Sequence, residues 1–291
     1  MTAEPRFDLK RAPFQVNPST SPAQAAEEIA ACFEVVATLN GKLTRAAHAA
    51  MENVDIAPDA AIVRAAVTLA AEIDAGVGDG RANAYHNAQH YCEVMLSALY
   101  LSAHAGMTPV ERARMVAAAL AHDFHHDGRT SIGMPFRLER LAAQAAMPYF
   151  EMAGVPSDER ARVSALILAT ETTVGVPFAR KLHAHFTKGE PKPESPANEP
   201  DLAILSGDAA LTRQAVLLAE ADLLPSVGLT VFYGELTQAN LSREWNRPLT
   251  AVDKVFFLEK IFGDFVVATF FSPNVQYLKE TMRRKAEAIA R

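Results

Sequence analysis

Apolar residues in this chain recur at helical spacing over segment after segment, and no run alternates apolar and polar side chains long enough to make a strand. The chain is thereby restricted to all-α architectures. "AAEEIAACFEVVATLNGKLTRAAHAAM" sets Ile29, Cys32, Phe33, Val36 and Leu39 on one face, and "APDAAIVRAAVTLAAEIDAG" repeats the pattern until Gly76, so two amphipathic helices are predicted here. Another runs from His90 to His104 with Val94, Ala98 and Leu101 in register. Thr108 and Pro109 open the next, with Glu111 in its first turn. Its second half is nearly all apolar, as in a helix buried on every side. Further helices are predicted at about 137–153, 157–171, 208–224, 227–241, 250–270 and 274–290.

Residues 1–24 are rich in Pro, Ser and Thr without periodicity and read as an extended or disordered lead-in ending near the cap-like "STSP". Residues 25–291 read as a single helical domain. In it the charged, proline-rich "TKGEPKPESPANEP" (187–200) is a surface loop, since residues resembling parts of one site stand on both sides of it. The net charge of −6 supplies no basic field, so nucleic acid is not an expected partner. Cys32 and Cys92 form no CxxC motif and read as buried, inert thiols in a reducing compartment. No window reaches about 18 uncharged apolar residues, and the start "MTAEPRFDLKRAPF" is charged where a signal peptide is apolar. The expectation is a soluble, cytoplasmic protein without a membrane partner, with a homodimer left open.

Chemistry concentrates in two short stretches. In "YHNAQH", His86 and His90 stand four apart and share a face if helical; in "HDFHHDG", His122 and His126 repeat that spacing, with Asp123 beside the first. Imidazole and carboxylate together suit Zn, Fe, Mn or Mg, and a carboxylate can bridge two ions. The alanine run before His122 lets neighbouring helices approach closely, so that its polar end emerges in the pocket they enclose. Asp222 interrupts the apolar "AVLLAEADLLPSVG", where a carboxylate is costly unless paired or coordinated. An interhelical hydrogen bond or a partner arginine would also account for it. His104, His183 and His185 fit neither pair.

The order Tyr-His-Asn-x-x-His, Ala-rich helix, His-Asp-x-x-His-x-Gly, Ala-Thr-Glu, Ala-Asp-Leu resembles the catalytic domain of class I cyclic-nucleotide phosphodiesterases, a branch of the HD-domain phosphohydrolases. The resemblance runs from about Tyr85 to Tyr277. It implies a compact all-α domain with a two-metal site in a pocket, holding zinc with magnesium or manganese, or iron. By position it assigns His90, His122, Asp123 and Asp222 as metal ligands, Asp123 touching both ions, and His86 as the general acid. His126 falls behind the ligands, Glu139 near the attacking water, and Glu171 where the family usually has aspartate. The family's purine-gripping glutamine and phenylalanine correspond to Asn274 and Tyr277, and its Glu-x-His-His pattern is absent after Glu139.

The implied activity is hydrolysis of a small-molecule phosphodiester, with a 3′,5′-cyclic nucleotide as the first substrate to test. Two divalent ions would acidify the attacking water and neutralise charge on the phosphate, while His86 protonates the leaving oxygen. A nucleotidase or other phosphoesterase of the same superfamily, and an HD-type di-iron oxygenase, are the rival readings; a non-catalytic scaffold would have lost ligands that are all present.

Overall fold

The computed structural model describes residues 19–129 and 133–289, and among these it contains helices and no strand. In chain order the α-helices are α1 (Pro22–Ala37), α2 (Lys42–Val54), α3 (Ala61–Asp74), α4 (Ala88–His104), α5 (Pro109–Ala121) and α6 (Arg137–Met152). Then follow α7 (Ser157–Leu168), α8 (Gly175–Lys188), α9 (Ala209–Val227), α10 (Val231–Glu244), α11 (Ala251–Phe256) and α12 (Ser272–Ile289). A 3₁₀ segment, Pro200–Gly207, precedes α9, and α11 continues as a π-turn over Phe257–Phe262. None of the helices among the described residues is by itself long and apolar enough to cross a membrane.

Local chemistry explains most boundaries. The Ser21 hydroxyl caps α1 from Gln24 N–H with Pro22 in the first turn, so the helix begins there rather than at Ala25; residues 1–18 of the expected lead-in lie outside the described residues. Thr108 and Glu111 close a reciprocal capping box on α5. The segment expected as one helix from Ala25 to Met51 is two. The chain turns after Thr38 and passes through Gly41 in the left-handed region (φ +57°), a conformation that interrupts any helix, before α2 starts. The helix expected over 250–270 stops at Phe262, followed by Gly263 at φ +74°.

The helix α8 was not assigned from periodicity. Its start is built by a side chain from outside it: Glu171 accepts from Thr173 N–H (3.0 Å), Val174 N–H (2.6 Å) and Gly175 N–H (3.1 Å), occupying donors that a helix N-terminus leaves free.

Helices α4, α5 and α9 pack on one another and form the centre, with α3, α7 and α8 packed around them. All three are buried on nearly every side: His90–Ser102 in α4, Ala113–Ala121 in α5, and most of α9. Cys92 is buried in the core, as expected, whereas Cys32 is only half-buried against it; burial pushes the Cys32 thiol up to about 12 and Cys92 well above the usual range, which disfavours the reactive thiolate.

One buried carboxylate ties this centre to the last helices. Glu220, on α9, accepts from the N–H groups of Val267 (3.1 Å) and Ala268 (2.7 Å), with Val266 on its other oxygen (2.5 Å), and faces Arg180 at 3.7 Å. It holds residues 266–268 against α9 without a helix to support them. Glu220→Ala should therefore lower stability by about 3–5 kcal/mol, leaving both those amides and Arg180 without their anion. Urea unfolding checks this, and a loss under about 1 kcal/mol would show that the carboxylate is not structural.

Candidate metal centre

Asn87 caps α4 by accepting from Gln89 N–H (2.9 Å), which leaves His86 just outside the helix and sets His90 in its first turn. His122 is the C-terminal cap of α5, and Asp123 follows in a turn that passes through His125 at φ +67°. A non-glycine residue in that region costs on the order of 1–3 kcal/mol unless its surroundings hold it. Here His125 N–H donates to Gly78 O (3.2 Å), and Tyr91 Oη donates to Asp123 O (2.6 Å). The Asn83 amide joins the two motifs, donating to both His86 O and His126 O at 2.8 Å. Asp222 enters from α9.

These elements bring His90, His122, Asp123 and Asp222 to one point. The imidazole Nε2 of His90 lies 3.3 Å from Asp123 Oδ2 and 3.1 Å from Asp222 Oδ1; that of His122 lies 3.2 Å and 3.7 Å from the same oxygens. None of these approaches has hydrogen-bond geometry, so both buried Nε2 atoms are left without a partner among the described residues. Such an orphan costs about 1–3 kcal/mol each. His122 Nδ1 sits 2.7 Å from Ala119 O, which makes it the protonated nitrogen and turns the Nε2 lone pair toward the carboxylates. Two imidazole lone pairs and two carboxylates facing one centre fit a divalent cation, and ligand atoms of His90, His122 and Asp222 all lie within 4.8 Å of one another.

The charges agree with that. Burial disfavours an imidazolium at His90, yet Asp123 and Asp222 outweigh it and raise the group to about 9. His122 is raised well above its usual range against the same burial by the same two carboxylates. The aspartates are held well below theirs, burial being overcome by His122 together with His126 for Asp123, and by His122 and His90 for Asp222. Protons on the histidines thus occupy the position a cation would take.

A second group stands beside the first. The His86 ring lies 5.5 Å from that of His90 and stacks at 3.9 Å on His126. Its Nδ1 is in contact with Glu244 Oε1, while Glu244 Oε2 accepts from the N–H groups of Tyr85 (2.7 Å) and His86 (2.9 Å). Burial pushes His126 down to about 4, leaving it neutral, with Nδ1 accepting from Gly128 N–H (3.0 Å). Glu139 is pushed up to about 7 by burial and by Asp123 and Glu171, and its buried Oε2 has no partner among the described residues. Glu171, expected near the ions, spends both oxygens on the start of α8.

Sequence reasoning missed Glu244 and Asn83. Glu244 ends the polar α10, 158 residues from His86, and no local pattern distinguishes it from a solvated charge. Asn274 and Tyr277, expected to grip the substrate, do not line the cavity beside His90. The Asn274 amide donates to Pro22 O (3.0 Å) and Gly228 O (2.9 Å), joining α12 to α1 and to the end of α9, and Tyr277 is 62% exposed. The amide that would read a base is already engaged as a structural staple.

Asp123→Ala, His122→Ala and Asp222→Ala should each lower the metal content of the purified protein, and His183→Ala should not; full retention in the first three would refute the site. Because a cation must displace the protons held there, affinity should fall with pH, by about tenfold for each pH unit below about 9 through the proton on His90, with the proton on His122 adding to the slope. Zinc titrations against a competing chelator across that range give the slope, and a flat profile would contradict the proton count.

No family model matches the chain, and no curated protein matches it either. Solved structures do. The phosphodiesterase domain of the RhoPDE fusion protein from the choanoflagellate Salpingoeca rosetta shares 18% identity over 91% of this chain and 92% of that one, with a TM-score of 0.61. LmjPDEB1 in complex with IBMX shares 13% identity over 94% and 96% of the two chains, with a TM-score of 0.62. Yeast caPDE2 in complex with IBMX shares 13% over 90% and 73%, with a TM-score of 0.61. The chain has the all-helical fold of phosphodiesterase catalytic domains.

Proposed function

We propose that this protein is a divalent-metal phosphodiesterase acting on a small-molecule phosphodiester, with 3′,5′-cyclic nucleotides as the substrate class. The observation that carries the reading is the position of His86: its ring is 5.5 Å from that of the ligand His90, its Nδ1 is engaged by Glu244, and its Nε2 is left for a substrate.

When bound by His90, His122, Asp123 and Asp222, divalent ions supply a more acidic water and neutralise negative charge on the phosphate. The protein's own side chains do the rest. Water adds to phosphorus as the ester P–O bond breaks, and the departing oxygen takes the proton from His86 Nε2, a contribution of roughly 10²- to 10⁴-fold. Glu244 accepts the Nδ1 proton and balances the charge of the doubly protonated ring from which Nε2 gives up its proton, and the ring of His126 stacked at 3.9 Å restricts rotation of the acid. Glu139, raised to about 7, is matched to take the proton of the attacking water near neutral pH.

A second reading draws on a separate observation: His86, His126 and Glu244 also present three ligand atoms within 4.8 Å. A cation held there would make His86 a ligand and favour the two-iron chemistry of the rival HD proteins.

His86→Ala separates the two. On the phosphodiesterase reading it keeps its metal and loses about 10²- to 10⁴-fold in turnover of cyclic AMP or cyclic GMP, while bis-para-nitrophenyl phosphate, whose leaving group hardly needs a proton, falls by less than about tenfold. Glu244→Gln should follow the same split with a loss of about 10- to 100-fold on the nucleotides. Metal lost from His86→Ala, or equal losses on both substrate types, would overturn the assignment of His86 as the acid.

A further inference from the structure

Behind His90, between α1, α4 and α10, lies a cavity of about 180 Å³ that shares Tyr85 and His90 with the metal centre. Its aromatic walls are Phe33, Tyr85 and Tyr233. Glu93 also lines it, although the residue is only 6% exposed. One oxygen of this carboxylate is fully used: Oε1 accepts from Tyr233 Oη (2.5 Å) and Gln89 Nε2 (2.9 Å), and Gln89 is itself held by Lys42 Nζ (3.1 Å). Oε2 takes no hydrogen bond from any described residue, and neither does Tyr85 Oη. The network therefore fixes a carboxylate in place and leaves one acceptor over.

The contents of such a cavity are limited by its chemistry. At about 180 Å³ it is smaller than the 300–1,000 Å³ of sites that enclose whole drug-sized ligands, so it takes part of a molecule. Glu34 and Glu93 exclude a phosphate, which belongs at the cation-binding side of the shared wall. An apolar, planar group carrying N–H donors on its edge meets both the aromatic walls and the spare acceptor. We propose that this cavity receives the base of the nucleotide substrate and that Glu93 is its specificity-determining residue, favouring guanine, whose ring N–H donates to Oε2 where adenine presents only a ring acceptor. The assignment rests on the phosphodiesterase reading for placing the phosphate at His90, Asp123 and Asp222. It also supplies the base contact that Asn274 does not make.

Calorimetric titration of the metal-loaded protein with guanosine and with adenosine tests this without any turnover. Guanosine should bind at least about tenfold more tightly, and Glu93→Gln, which offers an amide donor where the acceptor was, should weaken it by about tenfold or more. Asn240→Phe, at a half-buried position on the cavity wall, should block both nucleosides while the protein still melts as the wild type does. Equal affinity for the two nucleosides, no binding of either, or guanosine affinity unchanged in Glu93→Gln would overturn the proposal. Hydrolysis of bis-para-nitrophenyl phosphate by the wild type is followed in parallel: its absence with guanosine binding intact would remove the phosphodiesterase reading and leave Glu93 as the base-reading residue.

Discussion

Two imidazoles and two carboxylates meet where three apolar helices cross, and the architecture depends on their mutual compensation. Any one of them charged alone in that position would cost several kcal/mol of desolvation. Together they form a set that is tolerable with protons between them and stable with a cation in place of the protons. The surroundings make this possible by geometry rather than polarity: Ala117, Ala118, Ala119 and Ala121 are fully buried small residues, so α4 and α9 approach α5 closely enough for His90 and Asp222 to face the His122–Asp123 step.

Buried acids recur in this protein, and their uses differ according to what reaches them. Glu220 is surrounded by backbone N–H groups and serves as an anchor for residues 266–268. Glu171 is likewise satisfied by amides and starts a helix. Asp222, two residues after Glu220 on the same helix, projects from a different face, where it meets imidazole nitrogens instead of amides. Helical phase alone separates this structural carboxylate from one that faces the candidate metal centre.

That distinction sets the limit of what the sequence made legible. The candidate centre was readable in part because His122 and Asp123 are adjacent and His86 and His90 stand four apart, so local spacing carries some of the geometry that brings His90, His122, Asp123 and Asp222 together. The helical class followed from periodicity, and the capping of α1 and α5 from Ser21, Pro22, Thr108 and Glu111. Unreadable were features fixed by distant partners: the break at Gly41, the start of α8 under Glu171, and above all Glu244, which reaches His86 across 158 residues. Asn274 shows the converse. Its place three residues before Tyr277 matched the spacing of a family motif, but contacts with Pro22 and Gly228 had already claimed its amide.

The two motifs also meet the centre with opposite ends of their helices. His86 and His90 flank the N-terminus of α4, whereas His122 and Asp123 close the C-terminus of α5. Aligned peptide dipoles place roughly half a positive charge at the first end and half a negative charge at the second. A field therefore runs across the site before any ligand arrives, drawing cations toward the α5 end and phosphate oxygens toward the α4 end. For the proposed reaction, the backbone would thus bias a phosphodiester to lie with its leaving oxygen toward His86.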